Sequence, residues 1–454
     1  MTPMTPMTRL TRPALHRRPV PRVSFCLAAA VVVAVGVGPT SVGRTPITVT
    51  PSAADSGLPP AADPVTGQDA AVATSTTSTR STASTSLPAG GAAAVLARMS
   101  LAQRVGQLFM VGTPATLLSN EIVHAVQADH VGNVMLTGRS TSGVAATAKV
   151  AARLQKLVTV KTTAGVPLFV GTDQEGGLVQ VLRGPGFSDI PAALTQGAWS
   201  AASVRAYAKK WGGQLVAAGV DLDLAPVLDT VPSATAAAHN PPIGRFRREF
   251  GFTPARVSSR GGAFAAGLGL AGVDAAVKHF PGLGRVTANT DATAGVTDRV
   301  TRRGDPYLAP FAAAIRAGAP FVMMSTAIYS KIDPARPAAF SKTVIGTVLR
   351  GDLKFHGVVI SDDLGNAKQV AAWTPGARAV AFLRAGGDMV LTVNGSLLQP
   401  MYAAVLARAQ TDPVFRAQVN ASALRVLIAK QKRGLIVPPH NPIGWPPTPA
   451  SGGQ

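Results

Sequence analysis

Cysteine is nearly missing: Cys26 is the only one in 454 residues. An intramolecular disulfide is excluded, and thiol chemistry loses support because Cys26 sits in an N-terminal apolar run, where it is expected to pack as a small apolar residue. Acids are scarce as well, 22 against 43 Lys and Arg, for a net charge of +21. Residues 1–44 hold six arginines and no acid, so +15 is left for the rest, where it is scattered. Aromatics make up only 5% and are not interleaved with dense Lys/Arg blocks. No nucleic-acid partner is therefore expected, and an anionic envelope polymer fits the charge at least as well. The longest N-terminal apolar run is short of the roughly 20 residues that a membrane span requires. There is no G-x-S-x-G elbow and no cluster with metal-ligand spacing, and FMVGTPATLLS is not a glycine-rich phosphate turn. Serine-hydrolase, metal and dinucleotide chemistry lose their usual signatures, and neither metal nor cofactor is implied.

What is present falls into four stretches. In residues 1–44 an arginine-rich segment ending at Arg22 precedes the apolar run Phe25–Gly38 and then small, turn-forming residues, the pattern of an export signal. An exported protein of the cell envelope or medium is expected, touching the membrane only through an uncleaved signal. Cys26 lies at the start of the apolar run rather than just after it, which argues against lipid attachment. Residues 45–92 are dominated by Thr, Ser, Ala and Pro and read as a linker. Residues 93–437 carry the globular pattern, and 438–454 form a Pro-rich tail. At 46% hydrophobic residues the chain can bury one large core.

From Ala93 onward, short apolar runs alternate with amphipathic helical stretches. The runs are FMVGT, VGNVMLTG, VPLFVGTD, VDLDLAPVLD, VDAAVKHF, PFVMMSTA, GVVISDDL and DMVLTV, each separated by a helix-length segment. Near-continuous apolar strands are what a parallel sheet covered on both faces requires. Their number predicts an α/β fold, a closed (β/α)8 TIM-type barrel forming a single catalytic domain. A doubly wound open sheet is the alternative.

In such a barrel, active sites are built at the C-terminal ends of the strands. Four runs end in charge there: at Asp173, at Asp229, at Lys278 and His279, and at Asp362 and Asp363. A lone strand-end Asp often caps a helix or fixes a loop, and that structural role stands open for Asp229 and Asp363. Carboxylates converging with Lys-His on one rim point instead to a polar ligand, because burying such charges without one is costly.

At these residues the sequence resembles the family-3 glycoside hydrolases, specifically the single-domain β-N-acetylglucosaminidase (β-hexosaminidase) branch. DQEGG (Asp173–Gly177), APVLD (Ala225–Asp229), NPPIG (Asn240–Gly244) with REFG (Arg248–Gly251), KHFPG (Lys278–Gly282) and ISDDL (Ile360–Leu364) occur in the family's order across about residues 95–437. The resemblance implies that Asp362 is the nucleophile of a retaining exo-glycosidase, forming a covalent glycosyl-enzyme. It implies that Asp173 binds sugar hydroxyls, that Lys278 and His279 grip the sugar, and that Arg248 binds it too, with Arg245 and Arg247 as alternatives. The substrate implied is terminal β-linked N-acetylglucosamine on muropeptides or related glycans, and a monomer is expected.

Two departures stand out. Leu178 and Val181 replace the two arginines that the family usually has after its DQ. The loop after the fifth strand carries Asp-x-His in the family, the histidine being the general acid/base. Here Asp291 is retained, and Thr293 stands where the histidine belongs. Asp291 becomes the candidate acid/base, with Asp298 or a group supplied by the substrate as further options. The Gly- and Thr-rich loop is expected to be mobile. The enzyme reading stands against two others: a wall-sugar-binding relic of the same fold, and an exo-hydrolase of β-glucosidase type.

Overall fold

The computed structural model describes residues 91–436. The export-signal residues with Cys26, nearly all of the linker, and the Pro-rich tail lie outside them. Eight parallel strands form one sheet: β1 (Phe109–Pro114), β2 (Asn133–Thr137), β3 (Phe169–Thr172), β4 (Leu222–Asp223), β5 (Asp274–Phe280), β6 (Phe321–Met324), β7 (Val358–Ser361) and β8 (Val390–Thr392). Their spatial order is the order of the sequence, from β1 through β7, with β8 paired to β1. β7 meets β8 through the Ile360–Met389 bridge and through bonds from Ser361 N–H to the Met389 carbonyl and Leu364 N–H to the Leu391 carbonyl. The sheet therefore closes on itself as the predicted barrel, and the open doubly wound alternative is excluded.

Alternation along each strand divides the apolar residues between two cores. Met110, Met135, Phe169, Leu222, Phe321, Met323, Ile360 and Leu391 fill the barrel interior, where Phe169 and Phe321 meet edge-on with ring centroids 5.7 Å apart. Val111, Val134, Val170, Val277, Val322 and Val359 face outward and pack under the helices. The longer helices begin where the sequence supplies caps: Ser200 accepts from Ser203 N–H at the start of Ala201–Ala217, and Thr253 accepts from Arg256 N–H before Pro254–Ala271.

Helix Pro413–Lys432 covers the N-terminal mouth of the barrel. Near its end Lys430, fully buried, donates to Gln107 Oε1 (2.9 Å), the Gly132 carbonyl (2.8 Å) and the Pro167 carbonyl (2.9 Å), groups that immediately precede β1, β2 and β3. Burial pushes its ammonium down to about 7, and the three acceptors match its three protons. Among the described residues, no helix is long and apolar enough to cross a membrane.

Two loop structures dress the opposite, C-terminal mouth. A hairpin of Gln174–Gly176 and Val179–Gln180 follows β3. A three-stranded sheet of Thr297–Arg302, Ile328–Lys331 and Asp333–Pro337 joins the loops after β5 and β6.

Lys430→Met keeps the length of the side chain but leaves Gln107 Oε1 and the Pro167 carbonyl without this donor, while the Gly132 carbonyl keeps its bond from Phe169 N–H. At about 1–3 kcal/mol for each orphaned buried group, a loss of about 2 kcal/mol or more is expected. The midpoint of urea unfolding reads it, and unchanged stability would mean that Lys430 is not a strut of the barrel floor.

Candidate active site

The charged residues that end the strands converge at the C-terminal mouth. Lys278 on β5 is buried, and its ammonium lies 2.6 Å from Asp173 Oδ1 and 2.6 Å from Glu175 Oε1. Glu175 also accepts from Arg248 in a two-pronged contact, Nε to Oε2 at 2.9 Å and Nη2 to Oε1 at 2.7 Å. Burial pushes the Glu175 carboxyl up, but Arg248 and Lys278 outweigh it and hold it at about 2. Burial likewise disfavours the charge on Lys278, and Asp173 and Glu175 more than restore it. Glu175 can reach both cations because the chain turns sharply behind it. Gly176 has φ +105°, and a Cβ there would come within 2.4 Å of the Pro191 carbonyl oxygen.

Arg248 also donates to the Pro242 carbonyl at 2.9 Å and lies 3.5 Å from His279 Nε2. The other ring nitrogen, Nδ1, is 2.7 Å from Asp229 Oδ2. A carboxylate can only accept here and a guanidinium can only donate, so the partners assign the proton to Nδ1 and leave Nε2 as acceptor. Asp229 uses its second oxygen to accept from His279 N–H and Leu283 N–H. It is therefore a fully buried positioning group that fixes both the ring and the turn after β5. The alternatives for the sugar-binding arginine separate cleanly: Arg245 and Arg247 are exposed, donating to the Ala238 carbonyl and the Thr195 hydroxyl, and only Arg248 joins the cluster.

Asp362 follows directly on β7, its Oδ1 accepting from Asp363 N–H at 2.9 Å. Asp363 turns away from the cleft. Its Oδ1 accepts from Gly365 N–H (2.8 Å) and Val393 N–H (3.0 Å), so it fixes the loop after β7 and meets β8.

The loop after β5 brings Asp291 to the same mouth. Although its side chain is open to water, partial desolvation in the cleft and then the Asp362 carboxylate raise its pKa to about 6, against the pull of Arg248. This loop, expected from its composition to be mobile, is tied down. Lys368 N–H donates to the Asp291 carbonyl and Gln369 N–H to the Thr290 carbonyl, while the Gln369 side chain brackets Val296 through both its N–H and its carbonyl. Asn240 holds the loop's start through the Leu283 and Val286 carbonyls. Thr293 is exposed. Asp298 accepts from Val300 N–H, Thr301 N–H and the Thr301 hydroxyl, which occupies both its oxygens in shaping the loop.

All six sequence-derived site residues thus gather at one mouth: Asp173, Arg248, Lys278, His279, Asp291 and Asp362. Glu175 was not singled out, although it is the hub that joins Lys278 to Arg248. Its signal was the acid two places after a strand-end Asp, in a chain poor in acids. Among the described residues, no group of His, Cys, Asp and Glu is arranged to hold a metal ion.

Known proteins resemble this chain in sequence and share this barrel. The Glycosyl hydrolase family 3 N terminal domain matches residues 100–429. A β-hexosaminidase of Xanthomonas oryzae pv. oryzae is 33% identical over 343 residues, covering 72% of this chain and 93% of that protein. The crystal structure of a β-N-acetylhexosaminidase from Beutenbergia cavernae superposes with a TM-score of 0.73 at 56% identity, covering 73% of this chain and 99% of the other. A family 3 β-N-acetylglucosaminidase from Paenibacillus sp. superposes with a TM-score of 0.69 at 31% identity, covering 78% and 65% respectively.

The cluster's energetics generate a test. Glu175→Gln keeps the volume but leaves Lys278 and Arg248 short of a counter-charge in a buried site, and a loss of about 3–5 kcal/mol of stability is expected. Asp352→Asn, which breaks an exposed pair with Arg303, should change stability far less. Because the folded pKa of Glu175 is depressed, its contribution is complete above the unfolded value of 4.5 and is lost as pH falls towards about 2. Denaturant midpoints between neutral pH and pH 3 should therefore converge for wild type and Glu175→Gln, and parallel curves would count against the ion cluster.

Proposed function

The chain belongs to glycoside hydrolase family 3, and on that footing we propose how this barrel removes a terminal N-acetylglucosamine with the residues that it has. It is a glycosidase of the β-N-acetylhexosaminidase kind, as its relatives are. The observation that carries the mechanism is the placement of two carboxyls at one mouth: Asp362 at the end of β7, and Asp291 on the bracketed loop, where desolvation and the Asp362 charge raise its pKa.

Asp362 attacks the anomeric carbon and forms a glycosyl ester, while Asp291, protonated, gives its proton to the departing glycosidic oxygen. The two steps are coupled by charge. Ester formation removes the Asp362 negative charge that had helped to raise Asp291, so the acidity of Asp291 rises after it has lost its proton. It is then suited to take a proton from the water that cleaves the ester. The ions on the opposite wall hold the sugar: the Asp173 carboxylate, partly exposed while bonded to Lys278, accepts from hydroxyls, and Arg248 with His279 closes the same side.

The natural substrates are peptidoglycan fragments, and the arginine-rich start with the Phe25–Gly38 run exports the protein to them; the basic charge of the remaining chain suits an anionic envelope.

Asp362→Asn preserves shape while abolishing the ester, so turnover should fall about a thousandfold or more. Asp363→Asn should act mainly on stability. Asp291→Ala should still process aryl glycosides with good leaving groups, lose most of its rate on N-acetylglucosaminyl disaccharides and muropeptides, and regain turnover of activated substrates with azide. The rate of the wild type on natural substrate should decline as pH rises past about 6, where the acid loses its proton. Equal rates for Asp291→Ala and wild type on disaccharides would move the acid elsewhere. Binding of N-acetylglucosamine fragments without release from any activated glycoside would favour a sugar-binding relic.

Export has its own test. Fractionation of cells making the full chain should place it outside the cytoplasm, and a cytoplasmic protein that retains Met1 or Thr2 would refute it.

A further inference from the structure

Beneath the ion cluster lies a carboxyl to which the mechanism gives no part. Asp223, the last residue of β4, is 1% exposed. Its Oδ1 accepts from Gln174 N–H at 3.0 Å, the peptide between Asp173 and Glu175, and its Oδ2 is buried without a hydrogen-bond partner. The other deeply buried aspartates are different. Asp229 bonds through both oxygens to His279 and Leu283, and Asp388 through both to Arg350, Val359, Ser422 and Arg425. An ionised carboxylate with one bare oxygen, facing two other carboxylates, is an arrangement that folded proteins avoid. Lys278 makes no hydrogen bond to Asp223, its ammonium lying instead 2.6 Å from Asp173 and 2.6 Å from Glu175.

We propose that Asp223 is a positioning residue that works as a neutral carboxylic acid, tethering the Asp173–Glu175 segment by its backbone without drawing Lys278 away from the two acids that hold it. This rests on the reading of Asp173 and Lys278 as the pair that grips the sugar. The charged groups facing Asp223 are Lys278 from β5 and Asp173 and Glu175 from the segment after β3. Burial is the largest influence and raises its pKa, the Gln174 bond and Lys278 oppose, the two carboxylates add to the rise, and the balance lies at about 8. Above that pH a third negative charge competes for the Lys278 ammonium. Asp173 then loses its fixed partner, and the sugar is held less well. The effect falls on KM, because the bond-making carboxyls Asp362 and Asp291 sit on other elements.

Asp223→Asn keeps an oxygen for Gln174 N–H and can never ionise. In the full-length enzyme its KM near pH 7 should stay within about twofold of wild type. The wild-type KM should climb as pH passes about 8, while that of Asp223→Asn stays level. Difference infrared spectroscopy of the enzyme without substrate gives a readout independent of activity. A protonated-carboxyl band present at neutral pH should titrate away near pH 8 in wild type and be missing from Asp223→Asn. Asp223→Thr, which retains a hydroxyl oxygen, serves as second variant should the Asn form fail to fold. Coincident KM profiles for wild type and variant, or the absence of a titrating band that the substitution removes, overturn the proposal. Asp173→Ala tests the sugar-gripping reading separately. If it leaves KM unchanged that reading fails, while the infrared band still decides the protonation of Asp223.

Discussion

The Lys278 ammonium is the constraint on which the rest of the site depends. It is a buried cation placed at the end of β5, and burial of such a charge is costly unless partners at contact distance offset it. Asp173 and Glu175 supply them from the hairpin after β3, and Glu175 then requires Arg248 to balance what it takes from the shared ion. Arg248 in turn faces His279, whose ring Asp229 fixes from below. Removing any one member leaves its neighbour buried and uncompensated, so the cluster is rigid as a unit although its members come from four separate segments of the chain. Rigidity of that kind is what a sugar-binding wall needs, because donors and acceptors fixed before the ligand arrives need not be ordered on binding.

The two mouths of the barrel solve the same problem in different ways. At the N-terminal end, Lys430 meets only neutral acceptors, and these satisfy its protons without a counter-ion. At the C-terminal end, the acids outnumber the cations that pair with them, and some of their oxygens stay open to the cleft. A sugar, offering many hydroxyl donors, suits that excess of acceptors. The open acceptors at the C-terminal mouth therefore give the barrel its functional direction.

Much of this was legible in the sequence, for a physical reason. Parallel barrel strands are buried on both faces, so each stood out as an apolar run, and charges at their ends could not be ascribed to the core. The fourth run was the least regular in the structure. Only Leu222–Asp223 pair as a strand, and the chain rejoins the sheet through the Val227–Lys278 bridge, since the segment must bring Asp229 under His279. Glu175 and Gln369 escaped notice because their importance lies in partners distant in sequence: Arg248 and Lys278 for the one, Val296 for the other. Which of Arg245, Arg247 and Arg248 joins the ion cluster depends on the path of the chain. Arg247 takes a left-handed backbone (φ 56°), which turns its side chain outward and the next one in.

In the proposed mechanism, that path also lets a loop without histidine supply the acid. A histidine acid works near neutrality because of its ordinary pKa, and needs only orientation. A carboxyl must have its pKa raised, which calls for crowding and a like charge close by. The loop here supplies orientation through Gln369, which fastens it to the very segment that follows Asp362 and Asp363. The same fastening keeps the Asp291 carboxyl under the influence of Asp362, the like charge that raises it. A mobile loop would carry Asp291 away from Asp362 and lose the like charge that helps to raise it. In the proposed mechanism, then, fixing the loop and tuning the acid are one physical act, and the tether between the loops after β5 and β7 is as necessary to proton transfer as the carboxyl itself.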